Sequence, residues 1–433
     1  MTAPARSFCS LSASHSVEAI DGAVALLHGG RTCAYRLEQG MSRLNGNQGS
    51  GNAGGSSASC TGLHSSPVPR RTTDCLENAL EALALTREAD LFVVLTGCLP
   101  ELIGEDTGAE VRRFRKAGWP VVHVDLPGFE GTAWHGHERL MRALTDQLVE
   151  ETFEHAEATV NLWSSVPYLD PFWSGDLLEL QRLLEGIGVR VNVLFGVGSS
   201  VAAWRQIPSA ALNLVVSPWV GVDLAEHLQA RFGTPYLHWP VPPIGIVETS
   251  RFLRAVATAL GHSPVRTEAF LRREEGIYLP LLQKGTELFV RDDERFPQTF
   301  HCVADCHMAV ALERFLSGEM GMSAGVQFAV DQPSASRRGA VRDLFRHPGT
   351  GEPTGVALTG LQDTIAAELR EMRPEGRRLI LGSFWEEPLA RELGAAFVPV
   401  SAPVGDRLIL DRTYLGPRGG LRLLEDLWNA VLA

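Results

Sequence analysis

Apolar runs alternate with amphipathic stretches along most of the chain. "DLFVVLTGC" (90–98) is a continuous apolar run closed by small and polar residues, the pattern of a strand buried on both faces. "EDTGAEVRRFRKAG" (105–118) predicts a helix that starts near Asp106 or Thr107 and stops at Gly118. "WPVVHVDLPGF" (119–129) predicts the next strand. "HGHERLMRALTDQLVEE" (135–151) predicts a second helix, with apolar residues at 140, 141, 144, 148 and 149. The rhythm returns in "TVNLWS", "DLLELQRLLEGIG" and "VRVNVLFG", then in "ALNLVVSP", "DLAEHLQARFG" and "TPYLHWPVP". It returns once more in "LILGSF", "PLARELG", "AAFVPVS" and "LRLLEDLWNAVL". Strand–helix–strand repetition of this kind predicts an α/β chain of parallel sheets flanked by helices. Three blocks predict three Rossmann-like domains over 1–150, 151–272 and 273–433, the last ending in a helix.

One segment breaks the rhythm. "LNGNQGSGNAGGSSASCTG" (44–62) is rich in Gly, Ser and Asn and reads as a flexible loop. At 433 residues the chain exceeds one hydrophobic core, in keeping with several domains. No apolar run reaches the roughly 18 residues of a membrane span. "MTAPARSFCS" lacks the apolar core of a secretory signal. A cytoplasmic chain without a membrane role is expected. The net charge of −12, with Lys and Arg scattered, argues against a nucleic-acid partner.

Cysteines change the picture. There are seven, and five fall within the first 98 residues. An odd count in a cytosolic chain argues against a disulfide framework. Sites in doubly wound sheets form where a strand's carboxyl end turns into a helix. Cys98 ends the "FVVLTG" strand, Cys33 follows "AVALLHGG", and Cys9 lies in the N-terminal segment. Together they are candidate iron–sulfur ligands, with Gly29, Gly30 and Gly97 giving a cluster room. The same pattern also fits three small buried hydrophobes.

The remaining candidates are weaker. Cys60 and Cys75 read as bystanders or accessory ligands. "CVADC" (302–306) has i, i+4 spacing, so Cys302 and Cys306 are read on one helix face. His135 and His137 form an HxH at a helix start; the bland reading is solvated or capping histidines. "GVGSS" (196–200) reads as an ordinary strand–helix turn. Walker A, GxSxG and HExxH motifs are missing, which removes support for ATPase, hydrolase and metalloprotease readings.

These residues resemble the nitrogenase component 1 family, β-type subunits in particular. "LLHGGRTCAYR" (26–36) is similar to that family's "LHGSQGC" turn, and "LTGCLPELIGEDTGAEV" (95–111) to its "TTCxxEvIGDDixa" stretch. "TTDCLENALEAL" (72–83), "VDLPGFEGTAWHGHERLMRAL" (124–144) and "PVPPIGIVETSRFLRAV" (240–256) resemble further family segments in the same order, as does 379–423. The resemblance implies three Rossmann-like domains, an α2β2 heterotetramer with an α-type partner, and electrons delivered by an ATP-dependent [4Fe-4S] iron protein. It assigns Cys9, Cys33 and Cys98, spaced 24 and then 65 residues apart, to an iron–sulfur cluster. That cluster would be of the [8Fe-7S] P-cluster type or a [4Fe-4S] cluster, shared with the partner. Thr132 falls where some members carry a serine that ligates the oxidised cluster. No catalytic residue is expected in this chain, because the catalytic metallocluster would lie in the α-type subunit.

Within the family, the short segment before Cys9, the 44–62 loop and "LHGGRTC" depart from molybdenum nitrogenases. Keeping all three cysteines departs from cofactor-assembly scaffolds. The expectation is a nitrogenase-like reductase of the methylthio-alkane reductase type, reducing C–S bonds in small thioethers. Iron-only or vanadium nitrogenases and an assembly scaffold are the alternatives, as is a cofactor-free module of stacked Rossmann domains. Protochlorophyllide and chlorophyllide reductases are set aside, since they lack several of these motifs.

Overall fold

A computed structural model describes residues 8–49, 59–63, 72–150, 156–291, 296–371 and 377–432. Among them are three parallel sheets. The first contains β1 (Ala23–His28), β2 (Ser59–Cys60), β3 (Leu91–Thr96) and β4 (Val121–Asp125), in the order β2-β1-β3-β4. The second contains β5 (Ala156–Trp163), β6 (Arg190–Asn192), β7 (Ala210–Val216) and β8 (Tyr236–Trp239), in the order β6-β5-β7-β8. The third contains β9 (Thr299–Ala304), β10 (Ser323–Ala329), β11 (Ala357–Leu358), β12 (Leu379–Gly382) and β13 (Ala396–Pro399), in the order β11-β10-β9-β12-β13.

The apolar runs became central strands because both faces of each sheet are covered. In β3 every residue is buried. Val93 and Leu95 join one core, whereas Phe92 and Val94 join another on the opposite face. The larger core runs on through the other two sheets, from Leu162 and Val215 to Phe300 and Leu381. Each sheet reverses its winding at one point: between β1 and β3, between β5 and β7, and between β9 and β12. Crevices at such points are where α/β sheets bind ligands.

Several sequence expectations are corrected. The 44–62 loop is structured at both described ends. Gly46 donates to the Val404 carbonyl at 2.7 Å, and the Asn47 side chain bonds the Gly405 and Arg407 carbonyls at 3.0 and 2.9 Å. Gly46 and Asn47, in a stretch read as flexible, tie down its first described end; residues 50–58 lie outside the described residues. Cys302 and Cys306 do not share a helix face, since Cys302 sits in β9 and Cys306 opens the helix Cys306–Gly318. Both are fully buried, and burial pushes both thiols up. The expected border near 272 falls inside the helix Pro264–Arg291, and the one near 150 adjoins residues outside those described. Among the described residues no helix is long and apolar enough to cross a membrane.

Truncating Leu95, which is fully buried in β3, is expected to cost about 2–5 kcal/mol in Leu95→Ala. Urea unfolding of the variant beside the wild-type chain checks this.

Candidate cluster-binding site

The winding reversal between β1 and β3 brings two turns side by side. One is His28-Gly29-Gly30 after β1; the other is Thr96-Gly97-Cys98 after β3. The Gly97 amide donates to the His28 carbonyl at 2.9 Å. Behind the turns, buried His28 contacts Thr61 Oγ1 at 3.1 Å and Glu105 Oε2 at 3.3 Å. Thr72 donates a further hydrogen bond to Glu105. Burial lowers the His28 pKa and the neighbouring Glu105 carboxylate opposes the shift. This network joins three of the quoted segments and fixes the floor of the crevice.

Each cysteine enters from a different element. Cys33 lies in the first turn of the helix Arg31–Arg43, its amide donating to the Gly30 carbonyl at 3.0 Å. Cys98 is the first residue of the short helix Cys98–Leu102. Cys9 precedes a 3-10 turn and is stitched to the loop after β4. It pairs with Thr132 in an antiparallel bridge, and Ser10 donates its amide to Gly131 and its hydroxyl to Leu126 and Pro127.

Gly128 marks where the thiols meet. Its amide donates to Cys98 Sγ at 3.1 Å. A Cβ at Gly128 would stand 3.1 Å from Cys9 Sγ and 3.2 Å from Cys98 Sγ. Cys33 is close enough to feel both: partial burial pushes its thiol up first, and the Cys9 and Cys98 sulfurs push it further, against Arg36. Cys60, on β2, adds a smaller push in the same direction. In the single chain Cys9 and Cys33 are exposed, so the three-sulfur face is open to a partner. Beside it lies a cavity of about 440 Å³ whose lining includes Phe8, Cys9, Cys33, Trp134, Tyr168 and Trp385. Such an apolar wall limits water near a metal group.

The structure thus brings together Cys9, Cys33 and Cys98, with Cys60 at their edge. Cys75 lies in the helix Thr72–Thr86, one turn after Thr72. Thr132 sits opposite Cys9, and its hydroxyl meets His135 Nδ1 at 2.9 Å. Neither histidine of the HxH is freely solvated. His135 is half-buried, and His137 is buried against Ser16 Oγ at 2.8 Å, where burial pushes its pKa down to about 3. Gly97, Gly29 and Gly30 are not demanded by the chain's own packing, since an added Cβ would meet atoms no nearer than 3.5 Å.

Two glycines at the site carried no sequence expectation. Gly128 leaves room beside the thiols, where an added Cβ would press on sulfur at 3.1–3.2 Å. Gly136 is required by the packing, since a Cβ there would lie 2.0 Å from the Ser10 carbonyl. A glycine inside the helical pattern "HGHERL" was the available signal. Gly136→Ala must displace the strand of chain that carries Cys9. The expected cost is about 1–3 kcal/mol, read by thermal unfolding, together with faster amide hydrogen exchange at residues 9–18.

Comparison with known proteins identifies a family and a shared fold. The family model described as nitrogenase component 1 type oxidoreductase matches residues 9–432. Curated relatives include the B subunit of light-independent protochlorophyllide reductase from Synechococcus sp. (strain JA-3-3Ab), 24% identical over 79% of this chain and 67% of the relative. Its namesake from Bradyrhizobium sp. (strain ORS 278) is 27% identical over 77% of this chain and 62% of the relative. The chain therefore spans about three-fifths to two-thirds of these relatives' length. Both belong to the branch that the sequence reading set aside. Among solved structures, "Nitrogenase Cp1 at pH 6.5" superposes with a TM-score of 0.80 at 18% identity, covering 100% of this chain and 93% of that one, which establishes a shared fold. With nearly its whole length matched by one family model, the chain belongs to the nitrogenase component 1 type oxidoreductases.

Proposed function

We propose that this chain is the β-type, electron-relaying subunit of a nitrogenase-like reductase, and that Cys9, Cys33 and Cys98 hold an iron–sulfur cluster facing an α-type partner. The observation that carries the reading is the sulfur-lined hollow at Gly128. Two thiols approach a position with no side chain, and a third lies near enough to raise its own pKa against them. Three thiolates from one chain, on a face open to a neighbour, suit a cluster whose ligand set is completed by that neighbour. Bound there, an [8Fe-7S] P-cluster-type or [4Fe-4S] group would supply one-electron transfer.

This chain's residues have defined tasks. The β1 and β3 turns position Cys33 and Cys98. The 126–132 loop holds Cys9 and presents Gly128 as a bare backbone wall. Trp134, Tyr168 and Trp385 keep water from one side. The Thr132 hydroxyl, held by His135, stands by Cys9 as an additional oxygen donor. The division into three domains, one per sheet, belongs to the same proposal.

The α2β2 assembly and a transient ATP-dependent iron protein complete the reading, with the catalytic metallocluster in the α-type subunit. Two substrate classes follow from different observations. Departures from molybdenum nitrogenases in "LHGGRTC" and in the 44–62 loop support C–S reduction in small thioethers. The names of the curated relatives support protochlorophyllide. Supplying the purified complex with each substrate, iron protein, ATP and reductant separates them.

The cluster assignment has a direct test. Cys33→Ala and Cys98→Ala are expected to abolish the interfacial cluster's EPR signal in the reduced or oxidised complex. Gly128→Ala is expected to reduce iron and sulfide content while leaving the melting temperature close to that of the wild type. A normal cluster signal in both cysteine variants contradicts the assignment.

A further inference from the structure

The winding reversals of the second and third sheets face each other across a small cavity of about 10 Å³, the room of a single water-sized sphere. Its lining includes Asp170, Asp305, His307 and Asp331, and no lysine or arginine among the described residues. Ser165 and Asp170 follow β5, Asp176 sits in the helix Trp173–Gly186, and Asp305 and His307 follow β9. Thus one chemical cluster draws on two sheets.

The hydrogen bonds leave specific atoms over. Asp305 accepts from Met308 N at 3.1 Å and Ser401 Oγ at 3.2 Å. Asp331 accepts from Cys306 N at 2.9 Å and Trp219 Nε1 at 2.6 Å. Asp176 accepts from Ser165 Oγ at 3.1 Å and from Thr413. Ser165 has one proton and gives it to Asp176. Its contact with His307 Nε2, at 3.2 Å, therefore needs His307 to donate from Nε2. In that tautomer Nδ1 carries the lone pair, and Nδ1 has no hydrogen-bond partner. Asp170 accepts from Phe172 N at 2.8 Å through Oδ1; Ser165 and Asp176 lie beside its carboxyl, and its Oδ2 has no hydrogen bond of good geometry. His307 is only 9% exposed and Asp170 only 5%. One ligand atom from each of Asp170, Asp176 and His307 lies within 4.8 Å of the others.

Two buried acceptors without donors, beside carboxylates without a countercharge, call for an electrophile, either a proton between Asp170 and Asp176 or a cation. A water would satisfy hydrogen bonds but leave the charge. Two carboxylates balance one divalent ion, and an imidazole in the set favours a first-row transition ion over magnesium or calcium. We propose that Asp170, Asp176 and His307 form a structural site for one such ion, zinc foremost, that pins the second sheet to the third. Trp134 lines both this cavity and the one beside the cysteines, but no ligand is shared and the proposal does not depend on the cluster reading.

The test counts metals in the full-length chain within its native complex, after dialysis against chelator-treated buffer. Zinc, manganese, cobalt and nickel are measured by mass spectrometry and iron is counted separately. About one equivalent of non-iron divalent metal is expected in the wild type. Asp170→Asn and His307→Asn should each lower it by about tenfold or more, with the cluster iron unchanged. Where a variant fails to fold, wild-type chain refolded with Co²⁺ decides. Visible ligand-field bands of nitrogen- and oxygen-bound cobalt that survive alkylation of the cysteines support the site. Less than about a tenth of an equivalent in the wild type, the same metal content in both variants, or no such cobalt bands overturns it.

Discussion

Everything at the cysteine face depends on the parallel pairing of β1 with β3. That pairing runs in register from Ala23 opposite Leu91 to His28 opposite Thr96, so both strands end at the same level. Two helices must then start from adjacent turns. Cys33 and Cys98 are each within three residues of those turns, so their sulfurs are delivered to one crevice by backbone geometry. The cost of bringing together residues 65 apart in sequence is borne by the sheet rather than by the site. Cys9 reaches the same crevice by a separate route, through backbone bonds to the loop after β4.

Much of this was legible in the sequence. Fully buried strands such as β3 announce themselves as unbroken apolar runs, and capped amphipathic helices announce their starts. The helix predicted from Asp106 or Thr107 begins at Thr107, with Asp106 accepting from Ala109 N at 2.8 Å. Strands β9 and β10 were not expected as strands, and the end of β9 fell in the stretch read as helix. His301 and Gln327 interrupt their apolar pattern, and both are buried through pairings that the sequence does not reveal: His301 with Val326 N, Gln327 with Glu313. The cysteine set was visible from strand ends. Gly128 and Gly136 were not, because the atoms that crowd them, in Cys9, Cys98 and Ser10, lie far from them along the chain.

The same topology explains why polar chemistry gathers at a second place. Winding reversals in two sheets leave loops rich in Ser and Asp facing one another across a narrow gap. Burying four carboxylates costs far more than burying an apolar cluster of that size unless each is hydrogen-bonded or neutralised. Burial and mutual repulsion hold Asp170 well above the usual carboxylate range and push Asp176 up to about 7. A core built for packing alone has no use for such residues. Their presence separates this junction from the apolar contacts between the first and second sheets, where Leu162, Val122 and Leu144 belong to the same continuous core.

The most direct measurement is anomalous diffraction at the iron edge from crystals of the purified complex grown without oxygen. Iron scattering beside Gly128, within bonding distance of Cys9, Cys33 and Cys98 Sγ and at the boundary with a second subunit, is the predicted result. A crevice without iron scattering, in a complex whose iron lies elsewhere, would contradict it.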